Sequence, residues 1–247
     1  MYHFFVEPHQ IGAEEIRIEG ADVNHIRNVL RMKPGEEILI SSREGGDYFC
    51  RVEELEPEYV SAKILEEWEN KELPARIHLF QGLPKGDKME LIIQKAVELG
   101  AYRVVPVSMK RSVVKLDAKK ADAKRKRWNA VSESAAKQSK RSLIPEVAPL
   151  MTYKEAVKEA AGYDMVLLPY ESADGIRKTR ELLASVKPGT DIAVFIGPEG
   201  GFDPLGIDLL IKGTVQRDRS VSVIPGTQLE KIGDTYRCAL TGPITQR

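Results

Sequence analysis

The sequence has few of the features that mark secreted, membrane-spanning or metal-stabilised proteins. Only two of its 247 residues are cysteines, and Cys50 and Cys238 belong to no C-x-x-C motif or Cys/His cluster, which argues against a disulfide scaffold and a structural zinc site. The longest apolar runs, such as residues 192–196, are far shorter than the roughly 20 residues of a membrane span. The first residues show no basic segment followed by an apolar core, as a signal peptide would. These absences predict a cytoplasmic protein with neither a metal nor a membrane partner.

The charge balance also excludes some functions. The chain has 37 basic and 37 acidic residues and a formal net charge of zero, which excludes a uniformly basic surface but leaves room for a local basic patch. An apolar content of 42% with 30% charged residues is ordinary for a folded protein. At about 150 residues per domain, the length fits one large domain or one large and one small domain.

The first part of the chain has mainly β character. Turn residues separate short apolar segments, which suggests a small β-barrel. The strand candidates are residues 2–6, 15–18, 36–41, 48–53 and 59–65. One helical segment, residues 22–32, ends at Lys33-Pro34-Gly35. The polar stretch 69–72 before Pro74 is the best candidate linker, so we expect one domain over residues 1–72 and another over 73–247.

Beyond Pro74, strand and helix patterns alternate. Strands are expected at 76–83, 102–108, 164–168 and 191–196, and helices at 87–99, 118–139, 152–161, 175–186 and 204–212. Helices of this length between strands are crossover connections, which place the strands parallel to one another. The fold class is therefore α/β, with a mostly parallel sheet.

A glycine-rich turn is the strongest local signal. The apolar run Asp191–Ile196 leads directly into Gly197-Pro198-Glu199-Gly200-Gly201, and Asp203 and Pro204 suit the start of a helix. Ligands of open α/β sheets bind at such carboxyl ends of strands, and glycine allows the backbone to approach them closely. The spacing fits neither a dinucleotide fingerprint nor a phosphate-binding P-loop. The turn indicates a nucleotide-like ligand, with a tight turn that binds nothing as the open alternative.

Four segments resemble a known family. The residues Ile196–Phe202 resemble the cofactor loop of SPOUT-class RNA methyltransferases. Lys85–Gly100, the stretch from Arg127 to Glu146 and the segment His25–Pro34 are similar to the 16S ribosomal RNA uridine-N3-methyltransferase (RsmE-like) family. The resemblance runs from residue 1 to about residue 203.

This resemblance implies a fold and an activity. It implies a small amino-terminal PUA-like, RNA-binding β-barrel and a SPOUT domain with a carboxy-terminal trefoil knot, forming a homodimer. The implied reaction, part of ribosome biogenesis, is methyl transfer from S-adenosylmethionine to N3 of a uridine in 16S ribosomal RNA, within the small subunit. The implied cofactor-binding residues are Leu168, Pro169, Glu171, Ile196, Gly197, Pro198, Glu199, Gly200 and Gly201. No side chain is identified as the base that removes the N3 proton.

A basic segment is the candidate RNA surface. Residues 110–127 include nine basic and two acidic side chains, a pattern that a solvated helix face would also produce. At 100° per residue, Arg127, Ser134, Gln138 and Arg141 fall in one stripe of the predicted helix. Together with the resemblance, this pattern predicts RNA contacts by Lys85, Lys88, Arg111, Arg127, Gln138 and Arg141.

The sequence departs from the family at its carboxy-terminal end. Residues 221–240 keep the order of strand, glycine turn and candidate helix, but they lack the family's second cofactor loop, L-G-x-R-I-L-R-T-E-T-A. Two alternatives therefore stay open. One is a non-enzymatic RNA-binding protein of SPOUT fold with an impaired cofactor site, and the other is a different nucleotide-binding enzyme whose glycine loop holds a phosphate.

Overall fold

The computed structural model describes residues 1–170, 176–215, 221–225, 227–232 and 235–240. The chain forms two compact units. The first comprises residues 1–72, 97–100 and 130–145, and the second comprises 73–96, 101–129 and 146–247. Since the first unit also includes residues 97–100 and 130–145, the two units do not divide the chain at a single point. The domain boundary expected between residues 72 and 73 stays a prediction.

The first unit contains a curled five-stranded sheet. Its strands are β1 (Tyr2–Val6), β2 (Glu15–Glu19), β3 (Glu37–Ser42), β4 (Asp47–Leu55) and β5 (Tyr59–Glu67). They lie in the order β1-β3-β4-β5-β2, with β1 parallel to β3 and the other pairs antiparallel. The concave side covers an apolar core that includes Ile16, Ile38 and Ile40, all fully buried.

The barrel expected here is only half formed. In the described part of the chain the edge strands β1 and β2 do not pair with each other, so the sheet is a half-barrel. The curl comes from β4, whose pairing with β5 shifts register between Phe49 and Cys50 and again between Val52 and Glu54. Such irregularities bend a strand and increase its twist.

A short irregular helix follows β2. Helix α1 (Ala21–Asn24) continues into a π-helical turn, His25–Val29, in which the Leu30 N–H donates to the His25 carbonyl over 2.8 Å. Arg31 then has a φ of 54°, a left-handed conformation that ends the helix. The helix expected over residues 22–32 is therefore present but shorter and wider than an α-helix.

The second unit is built on a parallel sheet of seven strands. They are β6 (Arg76–Gly82), β7 (Arg103–Ser108), β8 (Glu146–Val147), β9 (Met151–Thr152), β10 (Met165–Tyr170), β11 (Asp191–Ile196) and β12 (Val221–Pro225). Their order is β12-β10-β11-β6-β7-β8, and β9 also pairs with β7. The parallel sheet expected from the alternating pattern is confirmed.

Helices connect these strands. They are α2 (Lys88–Glu98), α3 (Ala118–Ser139), α4 (Tyr153–Ala160), α5 (Ile176–Ala184) and α6 (Pro204–Val215). Helix α4 begins at a capping box in which Thr152 and Glu155 exchange side-chain to backbone hydrogen bonds. Helices α4 and α6 contact each other, and Phe80, Phe195 and Leu210 are fully buried in the core of this unit. Among the described helices, none is long and apolar enough to cross a membrane.

The carboxy-terminal segment differs from the expectation. The strand expected before Gly226 is present as β12, but β13 (Thr227–Ile232) and β14 (Thr235–Leu240) form an antiparallel pair where a helix was expected. The β-branched and aromatic residues of these segments favour strands over a helix.

Candidate functional site

The candidate site lies where the central parallel strands end. Strand β11 pairs with β6 on one side and β10 on the other, and β10 pairs with β12. In this register Pro169 lies opposite Ile224, and Ile196 lies opposite Gln81. The carboxyl ends of four strands therefore meet at one edge of the sheet, and the glycine loop, residues 197–203, leaves from that edge.

The glycine loop is a tight turn anchored by an aromatic ring. The Gly201 N–H donates to the Pro198 carbonyl over 2.8 Å, and Gly201 has a φ of 67°, which glycine adopts without the strain of other residues. Phe202 is buried, and a Cβ on Gly197 would lie 3.2 Å from its ring. The loop therefore packs closely where Gly197 meets the Phe202 ring, whereas Gly200 and Gly201 are exposed to solvent.

The end of β6 forms the floor under this loop. A Cβ added to Gly82 would lie 2.7 Å from Pro198 N and 2.9 Å from Met109 Sδ. Next to it, the buried Gln81 side chain donates to the Gly82 carbonyl over 2.9 Å, and its Nε2 lies 3.5 Å from the Gly197 carbonyl. The close approach of loop and strand therefore requires glycine at position 82.

Glu199 connects the loop to the start of α2. Its carboxylate accepts the Lys85 backbone N–H at 3.1 and 3.2 Å, and the Lys88 ammonium at 3.0 Å. Hydrogen bonds from its own backbone N–H and from Lys88 hold the pKa of Glu199 below its usual value. The carboxylate stays ionised at neutral pH and fixes the loop to the neighbouring connection.

Two basic residues brace the other side of the loop. Arg111 Nη1 donates to the Gly200 carbonyl over 3.0 Å, and Lys110 Nζ lies 3.2 Å from Asp203 Oδ1. An apolar cavity of about 320 Å³ lies beside these contacts, next to Phe202 and Tyr153. The structure thus brings Lys85, Lys88 and Arg111 to the glycine loop, although they are far from it in sequence.

The predicted cofactor residues of β10 are placed differently from one another. The Leu168 side chain is fully buried in the core, so only its backbone can face a ligand, while Pro169 is partly exposed at the strand end. Glu171 lies outside the described residues.

Two of the predicted RNA residues, Arg127 and Gln138, lie on α3. Arg127 pairs with Glu90 at 2.7 Å but stays 63% exposed. Gln138 is exposed, and its carboxamide has no hydrogen-bond partner among the described residues; it lines a cavity in the first unit. Both side chains are accessible from solvent.

The expected placement of Arg141 is wrong. Helix α3 ends at Ser139, and Lys140 adopts a φ of 56°, so Arg141 does not continue the helical stripe. Its guanidinium is buried and binds Glu72, with Nε at 2.8 and 2.9 Å from the two carboxylate oxygens, and it also donates to the Val97 carbonyl. Because these guanidinium donors are occupied by hydrogen bonds within the first unit, Arg141 is not part of the candidate RNA surface.

Gly82 and the bracing role of Lys110 were not predicted from the sequence. A usable signal for Gly82 existed, since a glycine ends the strand 76–82 just before Leu83-Pro84. Glycine at the carboxyl end of a buried strand commonly marks a close backbone approach.

Comparison with known proteins identifies relatives across both units. A family model described as an RNA methyltransferase domain matches residues 71–217, and one described as an RNA methyltransferase PUA domain matches residues 18–65. The chain is 36% identical over 218 residues to the ribosomal RNA small subunit methyltransferase E of Bacillus subtilis, covering 85% of each chain. It is 29% identical to the protein of that name from Synechocystis, covering 98% of this chain and 74% of the relative. The crystal structure of a ribosomal RNA small subunit methyltransferase E from Neisseria gonorrhoeae bound to S-adenosyl methionine has a TM-score of 0.71 and 27% identity, covering 93% of this chain and 91% of that one.

Proposed function

The chain belongs to the ribosomal RNA small subunit methyltransferase E family, and we propose that it transfers a methyl group from S-adenosylmethionine to N3 of a uridine in 16S ribosomal RNA. The observation that carries the proposal is the glycine loop, placed at the carboxyl ends of β6, β10 and β11 and held there from both sides. Family membership supports methyl transfer to small-subunit RNA; the N3 position comes from the resemblance of the sequence motifs.

The loop suits S-adenosylmethionine in its exposed backbone. The Gly200 N–H has no hydrogen-bond partner among the described residues, and a Cβ at Gly201 would enter open space. Backbone groups presented in this way can bind the polar edges of an adenosine, as glycine-rich turns at strand ends commonly do. We assign Ile196–Gly201 and the backbone of Leu168 and Pro169 to this site.

The protein's contribution to catalysis is alignment. The cofactor supplies a methyl group already activated by its sulfonium, so the rate depends on holding the donor and the uridine in line. Lys88 and Arg111 act on Glu199 and on the Gly200 carbonyl, which fixes the loop that holds the donor. Both residues are therefore positioning residues in this proposal.

The RNA surface follows from the accessible basic residues. Lys85, Lys88, Arg111 and Arg127 are exposed and belong to the second unit, and basic side chains there neutralise phosphates in a salt-dependent way. Gln138 contributes a neutral contact in the first unit. We propose that the substrate is 16S ribosomal RNA within the small subunit, in the cytoplasm.

Two further features belong to the proposal. We expect a homodimer, which light scattering of the purified protein would test. We also expect the carboxy-terminal segment to form a trefoil knot, a feature supported by the family resemblance and by the parallel pairing of β12 with β10. A crystal structure of the full chain would test it.

Calorimetry and a methyl-transfer assay test the central proposal. We expect binding of S-adenosylmethionine without binding of ATP or NAD, and transfer of labelled methyl groups to small subunits that lack the modification. Binding of ATP instead would favour the alternative nucleotide enzyme, and RNA binding without methyl transfer would favour the non-enzymatic protein. Neither alternative gains support from the relatives.

A variant of the loop links this assay to the site. A Cβ on Gly200 would lie 3.3 Å from Arg111 Cβ, and valine adds two methyl groups beyond it. We expect Gly200→Val to weaken cofactor binding at least tenfold, or about 1.4 kcal/mol, with an unchanged circular dichroism spectrum. Unchanged affinity would remove the loop from the cofactor site.

A further inference from the structure

The first unit contains a large open cavity that the proposed reaction does not use. Its volume is about 680 Å³, within the range of about 300–1,000 Å³ of typical ligand pockets. Strand β1, the irregular helix after β2 and residues 130–138 of α3 form its walls.

Several unpaired polar and aromatic groups face this cavity. The side chains of Tyr2, His25, Ser134 and Gln138 line it, and none has a hydrogen-bond partner among the described residues. Tyr2 is 48% exposed, although it lies on a strand of the core sheet. A concave site with a few converging polar groups is the usual form of a ligand pocket.

The charged side chains of the wall are paired with one another. Lys137 Nζ lies 3.0 Å from Asp22 Oδ1 and 3.3 Å from Glu133 Oε1, and Arg43 also pairs with Glu133 at 3.4 Å. The charged side chains that line the cavity are therefore two carboxylates and one lysine, all of them paired, and Arg43 pairs with Glu133 from outside the lining. Such a wall favours an uncharged, planar ligand group over a phosphate.

His3 lines the cavity as a neutral ring held by a chain of buried hydrogen bonds. His3 Nε2 lies 2.8 Å from Ser41 Oγ, and the Ser41 hydroxyl donates to Asp47. Since the serine proton goes to the carboxylate, the neutral His3 ring donates its Nε2 proton to Ser41. Burial lowers the pKa of His3 to about 4, so the ring is neutral at physiological pH.

The backbone beside the cavity is irregular. His25 begins the π-helical turn, and Arg31 is one of two described residues other than glycine with a positive φ. Such deviations occur frequently at functional sites, where they redirect a side chain. Here the turn places the His25 ring at the cavity.

We propose that this cavity binds one unstacked base of the substrate RNA. The base stacks on the aromatic side chains of Tyr2 and His25, and its edge forms hydrogen bonds with Ser134 and Gln138. Single-stranded RNA is commonly recognised by this combination of stacking and edge contacts. The inference rests on the proposed function, since it needs an RNA substrate, but it assigns a contact separate from methyl transfer.

The test measures binding of fluorescein-labelled single-stranded fragments of small-subunit ribosomal RNA at several salt concentrations. We expect Tyr2→Leu to weaken binding at least fivefold, the lower limit for losing one base–aromatic stack of about 1 kcal/mol. Tyr2→Phe keeps the ring and should retain the parent affinity. Because Tyr2→Leu removes no charge, the slope of log K against log salt should stay unchanged, unlike that of a variant that removes a phosphate contact.

Matched variants keep the result interpretable. Gln138→Ala should also weaken RNA binding, whereas Asn28→Ala, an exposed change on the same irregular helix but outside the cavity lining, should not. The inference would be overturned if Tyr2→Leu and Gln138→Ala both bind RNA with the affinity of the parent protein. It would also be overturned if these variants change the oligomeric state without changing the RNA affinity. If the parent binds RNA through Tyr2 but transfers no methyl group, the proposed function fails and the cavity assignment stands.

Discussion

Gly82 provides the sharpest test of how the glycine loop is held. Replacing it by alanine places a methyl group 2.7 Å from Pro198 N, 2.8 Å from Pro198 Cδ and 2.9 Å from Met109 Sδ. Met109 can turn aside because its side chain is flexible. Pro198 cannot, since its nitrogen is backbone and its ring fixes φ.

The size of the effect follows from this geometry. Restoring an ordinary 3.4 Å contact from 2.7 Å displaces the loop by about 0.7 Å. Overpacking of this kind costs about 1–3 kcal/mol, and each kcal/mol lowers the Tm of a chain of this size by about 2–4 °C. A shift approaching 1 Å at a site that works by alignment costs on the order of tenfold to a hundredfold in rate.

Gly206→Ala is the matched control. It makes the same chemical change inside α6, where the new methyl group would lie 3.4 Å from Tyr153 Cε1, an ordinary contact. Alanine in a helix is about 0.5–1 kcal/mol more favourable than glycine, so this variant should be as stable as the parent or more so.

The assays are thermal unfolding, calorimetry with S-adenosylmethionine and methyl transfer to small subunits. We expect Gly82→Ala to lower the Tm, the cofactor affinity and the rate, while Gly206→Ala retains all three. Parent values for Gly82→Ala would refute the reasoning, because they would show that the loop does not rest on β6.

Three other outcomes are expected. Arg141→Ala should lower the free energy of unfolding by about 3–5 kcal/mol in urea titrations, because it leaves the Glu72 carboxylate buried without its partner; a loss below 1 kcal/mol would contradict the buried pair. Arg127→Ala should retain stability and reduce the slope of log K for RNA against log salt by about 0.7–0.9, and an unchanged slope would show that Arg127 contacts no phosphate. His3→Gln should make the free energy of unfolding less dependent on pH below about pH 6.5. Because the pKa of His3 is lowered in the folded state, the unfolded state binds a proton at a higher pH than the folded state does. The free energy of unfolding of the parent protein therefore falls by up to about 1.4 kcal/mol per pH unit between about pH 6.5 and about pH 4. Urea unfolding at pH 7 and pH 5 would measure this loss, and equal losses in parent and variant would contradict it.

The sequence was informative where structure depends on local periodicity. The strands Tyr2–Val6 and Asp191–Ile196 and the helix Ala118–Ser139 have the predicted bounds. Each is an uninterrupted pattern bounded by glycine, proline or polar residues, which are the signals that local physics supplies. The position of the glycine loop at a strand end followed from the same reasoning.

Contacts between distant segments were not predictable in this way. Residues 69–72 have the composition of a linker, yet Glu72 binds Arg141 and the Ser142 N–H across 70 residues of sequence. Glu199 binds Lys88 across 111 residues. Pairing between segments so far apart cannot be read from a single sequence. Arg141 was assigned to the helical stripe by its phase, but Lys140 adopts a left-handed conformation after the helix, so Arg141 does not continue the stripe. The half-barrel was missed for a similar reason, since strand spacing does not determine whether a sheet closes.

The described braces of the glycine loop have one property in common. They come from Gly82, Lys85, Lys88, Lys110 and Arg111, all before residue 112, and they act on Pro198, Glu199, Gly200 and Asp203. Each of these braces comes from a residue outside 221–240, the segment in which the sequence departs from the family pattern. We therefore expect changes in that segment to leave these particular contacts in place, so an altered cofactor affinity in such a variant would not by itself indicate that the braces are lost.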